Sequence, residues 1–141
     1  MTVEVGSVIP PWAMPDVSPE RMKTMAAILR DPYPVHWDRD AVEAIGLGHR
    51  VINQGPLNLS YIVNMLMAWQ GPGCVRRLRV SFGPPVLDHD AVTATGTVTA
   101  IDDVDGERRA TCEVRLERDG EPVVTGTAVV RCGDGATPEV G

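Results

Sequence analysis

One stretch near the middle of the chain restricts the possible folds more than any other. It reads "PLNLSYIVNMLMAWQG", residues 56–71. Pro56 suits the first turn of a helix and Gly71 stands just past its end. Leu57, Tyr61, Met65, Leu66 and Trp69 form one stripe, and Leu59, Ile62, Val63 and Met67 are apolar as well. A helix that is apolar nearly all round has to be covered on several faces at once. At 141 residues the chain suits a single compact domain, so the rest of it must supply the cover.

The residues after Gly73 have the right pattern for this. "VRRLRVSFG", "AVTATGTVTAID", "RRATCEVRLERDG" and "PVVTGTAVVRC" alternate apolar with polar residues or are rich in β-branched ones, which predicts four strands. "DDVDGE" and "DGEP" are short-turn sequences, so the last three strands should form an antiparallel meander. Upstream, a short strand is expected near Val3 to Ile9, then an irregular arm broken by Pro10, Pro11 and Pro15. A helix follows, capped by Ser18, with Pro19 and Glu20 in its first turn and an end near Leu29. After Pro34, which should keep the chain extended, a short helix is expected between Asp38 as N-cap and Gly46 as stop. The economical arrangement is α+β: one antiparallel sheet wrapped around a long central helix, the hotdog architecture. The domain should span residues 1–133, with a frayed tail at 134–141. Such a sheet leaves an unpaired edge, so a second hotdog chain is expected beside it, as a homodimer or a heteromer.

Charge and cysteine content remove several classes of function. The net charge of −6 offers no basic face for nucleic acid. Cys74, Cys112 and Cys132 are odd in number and widely spaced, which fits unpaired thiols in a reducing cytoplasm rather than a disulfide frame or zinc ribbon. "MTVEVGSVIPPW" lacks the features of a secretory leader, and "YIVNMLMAW" is too short to cross a bilayer. The expectation is a cytoplasmic protein without membrane contact.

The candidate chemistry sits in "RDPYPVHWD", residues 30–38, where two prolines separate Asp31 from His36. A stiff loop of this kind can hold a carboxylate and an imidazole at fixed directions. The segment Asp31-Pro32-Tyr33-Pro34-Val35-His36, the following Asp38, Ala41 and Gly46, and "INQGPLNLS" at the mouth of the long helix together resemble the MaoC-like dehydratases, also called R-specific enoyl-CoA hydratases. The resemblance covers roughly residues 1–132. It implies addition of water to a 2-enoyl-CoA, an R-configured 3-hydroxyacyl-CoA product, and Asp31 and His36 as the acid/base pair. Two positions depart from the family pattern: Tyr33 replaces an asparagine, and Gln54 replaces a histidine. These departures, with "AWQGPG" and "MTVEVGSVIP", are similar to the small subunits of heteromeric hydratases of steroid side-chain degradation, which implies a bulky acyl group.

The residues support that chemistry independently. An imidazole titrates near neutral pH and can take a proton from water, and a carboxylate can share that water. Gly55 offers a backbone N–H at a helix start, where negative charge is favoured, to the thioester oxygen. No metal or cofactor is required. Tyr33 is a candidate pocket wall beside the acid, and Asn53, Gln54 and Ser60 are candidate substrate contacts. Ser60 can equally bond back to the preceding turn. Arg76, Arg77 and Arg79 either meet CoA phosphates or form a solvated strand face. His49 and His89 read as loop residues. Asn58-Leu59-Ser60 fits a glycosylation pattern but lies in the expected buried helix. Two other readings remain open: a subunit that binds acyl-CoA and acts only with a partner, and a hotdog thioesterase.

Overall fold

A computed structural model describes residues 2–133; the expected tail at 134–141 lies outside the described residues. Five strands form one antiparallel sheet: β1 (Val8–Met14), β2 (Val75–Phe82), β3 (Val92–Val104), β4 (Glu107–Arg118) and β5 (Glu121–Arg131), in the order β1-β3-β4-β5-β2. Three helices accompany it: α1 (Pro19–Leu29), α2 (Arg39–Ala44) and α3 (Gly55–Gln70). The fold is the α+β hotdog, with α3 touching every strand of the sheet.

The meander turns have a local cause. Asp105-Gly106 and Asp119-Gly120 both carry positive φ, at 52° and 80° and at 52° and 79°. Two-residue hairpins need that geometry to match the strand twist, and Asp-Gly supplies it at low cost. The sheet then curls around α3 along one row of paired residues: Ile9, Gly96, Val114, Gly126 and Val80. Both glycines sit where a side chain would collide with a neighbouring strand. A Cβ on Gly126 would lie 2.2 Å from the Arg79 carbonyl oxygen, and one on Gly96 would lie 2.8 Å from Ile9 Cδ1. The core facing α3 includes Val92, Ala94, Val98, Cys112, Val114, Leu116 and Ala128, all essentially inaccessible.

Leu57, Tyr61, Ile62, Met65 and Leu66 of α3 are buried in this wrap. Leu59 and Val63 are only half-buried and Met67 is exposed, so one face of the helix remains uncovered by the chain itself. Ser18 caps α1 through its hydroxyl, and the Asp38 carboxylate caps α2 at the N–H groups of Asp40 and Ala41.

Two expectations need correction. The first strand is Val8–Met14, not Val3–Ile9, and so contains Pro10 and Pro11. β1 is an edge strand, and the prolines fall at a register shift between Ile9 and Trp12, where a missing N–H breaks no ladder bond. Pro34 does not keep the chain extended. It opens a single 3₁₀ turn, Pro34–His36, because its fixed φ also suits the first residue of a helical turn.

Glu107 accepts from Arg76 of β2 at 2.8 Å and from Arg109 of β4 at 2.8 Å. These guanidiniums hold its carboxyl at about 2, against 4.5 for an ordinary glutamate. A depressed folded-state value contributes stability that is complete above pH 4.5 and is lost as pH falls towards 2. Glu107→Gln should therefore lower the melting temperature at pH 7 but converge with the wild type near pH 2, and added salt should shrink the difference. Gly126→Ala should cost ~3 kcal/mol or more in urea unfolding, because backbone blocks the new methyl head-on, whereas Gly96→Ala should cost less, about 1–2 kcal/mol, because its tightest neighbour is the Ile9 side chain and the Glu113 carbonyl oxygen stands farther off, at 3.1 Å. Equal midpoints for the two variants would contradict this packing.

Candidate active site

The loop after α1 is shaped residue by residue. Arg30 adopts the left-handed region, φ 52°, and the Asp31 N–H reaches back to the Ala26 carbonyl at 3.0 Å, ending the helix. Asp31 Oδ1 then accepts from the Tyr33 N–H at 3.2 Å, a local turn that fixes the carboxylate. Trp37 Nε1 donates to the Pro32 carbonyl at 3.2 Å, closing the loop on itself.

His36 is held from a second direction. The Ile52 N–H donates to the Val35 carbonyl at 2.8 Å, and His36 Nδ1 lies 2.7 Å from the Ile52 carbonyl oxygen. A carbonyl only accepts, so Nδ1 carries the proton, and in the neutral ring Nε2 keeps its lone pair. That nitrogen lies 3.9 Å from Asp31 Oδ2. The imidazole is largely buried, whereas the carboxylate is 43% exposed.

The stretch carrying Ile52 is braced in turn. Asn53 N–H donates to Val86 and Asp88 N–H to Val51, at 2.7 and 3.0 Å. Asp88 is 1% exposed and pairs with Arg39 at 2.6 Å, while Arg50 bonds the Asp88 carbonyl and reaches Asp90 Oδ1 at 2.6 Å. Burial opposes charge on Asp90, but the Leu87 N–H and the guanidiniums of Arg118 and Arg50 outweigh it and hold its carboxyl below the usual range. These pairs clamp the chain on both sides of the His36–Ile52 contact.

A cavity of about 330 Å³ opens at this point. One wall is His36, Ile52, Asn53, Gly55 and Asn58. The other is Phe82, Gly83, Pro84, Pro85 and Val123. The volume falls at the small end for ligand sites, and the lining is mostly apolar with a few polar groups. Gly55 is the first residue of α3, so its N–H has no partner within the helix. A Cβ at Gly55 would stand 3.2 Å from the Phe82 ring, so the glycine keeps the helix mouth open beneath that ring.

The structure brings together His36, Gly55 and Asn53 as cavity lining, with Asp31 beside His36 but not itself part of the lining. Tyr33 is 54% exposed and meets His36 edge-on, with ring centroids 5.7 Å apart. Gln54 is 1% exposed, and its Nε2 donates to the Met22 carbonyl at 2.7 Å, tying α1 to the mouth of α3 rather than lining the cavity. Ser60 Oγ donates to the Leu57 carbonyl at 2.6 Å, the back-bond open to a helix serine. Arg76 is engaged by Glu107. His49 and His89 pair with Glu43 and Asp16 at the surface. Asp40, Glu43 and His49 place ligand atoms within 4.8 Å of one another, but all three are exposed and none lines the cavity.

Asn58, Phe82 and the Gly83–Pro85 turn line the cavity without having been singled out from the sequence for that role. The turn is brought in from the far edge strand, which nothing local in the sequence signals. Asn58 carries a faint signal: an amide three residues after Gly55, on the same side of a mostly apolar helix. Larger hollows lie on the outer face of the sheet and beside the N-terminal loop; neither holds His36 or the helix mouth. No helix among the described residues is long and apolar enough to cross a membrane.

The family described as MaoC like domain matches residues 11–119. The structure resembles a chain of the ChsH1–ChsH2 complex from Mycobacterium tuberculosis, with 27% identity, a TM-score of 0.79, and coverage of 94% of this chain and 100% of that one. It also resembles the (R)-hydratase from A. caviae involved in PHA biosynthesis, with 29% identity, a TM-score of 0.79, and coverage of 93% and 98%. R-Hydratase PhaJ1 from Pseudomonas aeruginosa shares the fold at 20% identity, a TM-score of 0.80, and coverage of 99% and 92%. Curated protein sequences give no match. The family match contains all of α3, the Asp31–His36 loop and strands β2, β3 and β4 together with part of β1, and the chain belongs to the MaoC-like domain family.

Proposed function

We propose that the protein is an enoyl-CoA hydratase that adds water across a trans-2-enoyl-CoA to give a 3-hydroxyacyl-CoA. The observation that carries this reading is the pairing of His36 Nε2 with Asp31 Oδ2 at 3.9 Å, beside a cavity that also holds Gly55. That gap is too long for a direct hydrogen bond and leaves both atoms free to address one water molecule. In this scheme His36 Nε2 takes a proton from the water while its oxygen bonds C3. The C2–C3 π electrons shift towards the thioester, and charge gathers on the thioester oxygen at the Gly55 N–H. C2 then takes a proton from the dyad, so one water is consumed and both side chains return to their starting state. One such N–H donor typically stabilises the transition state by ~2.7–4 kcal/mol. An R-configured product is the outcome in keeping with the likeness to an (R)-hydratase.

For the substrate we propose a bulky acyl group, such as a steroid side chain. The cavity by itself suits a short group. Leu29, Tyr33 and Trp37 are each exposed and offer apolar surface beside Asp31 over which a larger one could extend.

For the assembly we propose two hotdog chains, identical or different. The uncovered Leu59–Val63–Met67 face of α3 and the free edge of β2 support this, as does the likeness to a two-protein complex. The partner-dependent reading rests on the same surface.

Hydration of crotonyl-CoA and of a larger enoyl-CoA tests the assignment. Asp31→Asn and His36→Ala should each lower kcat/KM by about a hundredfold or more. Undiminished turnover in both would remove the dyad. The solution mass should exceed that of one 15.2 kDa chain, and Met67→Glu should shift it towards the monomer. Activity that appears only after co-expression with a second hotdog protein would identify the heteromer, whereas a fully active monomer would refute the two-chain assembly.

A further inference from the structure

We infer that Asn58 is a second hydrogen-bond donor to the thioester oxygen, acting beside the Gly55 N–H; this rests on the hydratase reading above. Four observations lead to it. Pro56 has no N–H, so the mouth of α3 lacks one of the donors that the start of a helix ordinarily presents. Helical side chains lean towards the N-terminus, so a side chain at position 58 lies over the turn that contains Gly55. Asn58 is 6% exposed and lines the same cavity as Gly55 and His36. Its orientation is also fixed: Asn53 Nδ2 donates to Asn58 Oδ1 at 2.7 Å.

That last contact decides which end of the amide is available. With Oδ1 occupied by Asn53, the Nδ2 group is left to point elsewhere, and no hydrogen bond among the described residues uses it. Asn53 is itself held, because its Nδ2 also reaches the Tyr61 hydroxyl at 3.3 Å, and Tyr61 stacks on Trp12 with ring centroids 5.7 Å apart. Asn53 is therefore a positioning residue, and Asn58 carries the contact. A buried amide in a mostly apolar wall is costly unless bonded. A thioester oxygen that becomes enolate-like would offer Nδ2 a stronger acceptor in the transition state than in the ground state, which is the condition for raising kcat rather than tightening binding.

The test uses Asn58→Leu, which removes the donor at similar size, and Asn58→Asp, which replaces it with an acceptor. Both are first checked for folding by thermal melting and circular dichroism. Turnover of crotonyl-CoA should fall by roughly a hundredfold in kcat with KM nearly unchanged. Affinity for acetoacetyl-CoA, bound as its enolate and followed by the enolate absorbance, should fall in parallel, while affinity for saturated butyryl-CoA should hold. A kcat within about threefold of the wild type in Asn58→Leu overturns the inference, as does an equal loss of affinity for butyryl-CoA and the enolate. A wild type that hydrates no enoyl-CoA, alone or with a partner chain, overturns the hydratase reading itself, so the two failures are distinguishable.

Discussion

Burial of α3 is the constraint on which the remaining architecture depends. Its apolar side chains lie on nearly all sides, and only a strongly curled sheet can reach that many faces of one helix. The curl requires strands to approach backbone to backbone at Gly126 and closely at Gly96, so two residues with no side chain at all enable the burial of many that have large ones. The same wrapping leaves the N-terminal mouth of α3 beside an opening, because the sheet covers the body of the helix and the loop before Gly55 crosses its end. A helix start with free N–H groups at the edge of an apolar interior is suited to stabilising charge that appears during a reaction.

The second layer of order is the stapling of two distant segments. Val35 and Ile52 exchange a backbone hydrogen bond, and the imidazole beside Val35 bonds the carbonyl of Ile52. One contact thus fixes the ring's position, its tautomer and the direction of its free nitrogen. Asp88 extends the brace by holding Arg39 and Arg50, which flank the staple on either side along the chain. A buried carboxylate is tolerated there because two guanidiniums compensate it. The clamp also leaves the two groups unequally exposed: the imidazole is fixed inside and the carboxylate stands at the rim.

Polar residues at the mouth divide between packing and cavity lining in a way their types do not reveal. Gln54 and Asn53 are adjacent and chemically alike, yet Gln54 turns inward to tie down α1 while Asn53 faces the cavity and orients Asn58. Ser60, two residues beyond Asn58, spends its hydroxyl on the helix backbone. The separation follows from the helical period: positions 55 and 58 share one side, and 60 lies away from it.

Much of this was legible in the chain alone. The period of two after Gly73, the Asp-Gly turns and the apolar run of α3 determine the wrapped-helix fold, because each is a local pattern with one economical structural solution. Ser18, Asp38 and the prolines mark helix ends by their own chemistry, and Asp31 and His36 stand out because a rigid loop joins them. The bounds of the first strand are not legible locally, because prolines forbid a strand only where their missing N–H is needed, and whether Pro10 and Pro11 lie at an edge depends on the order of strands in the sheet. Which of Asn53, Gln54, Asn58 and Ser60 face the cavity, and that Phe82 comes from the far edge to close it, were decided only by the tertiary structure. Those facts are relations between elements up to dozens of residues apart, and nothing within a single segment encodes the side from which its neighbour will arrive.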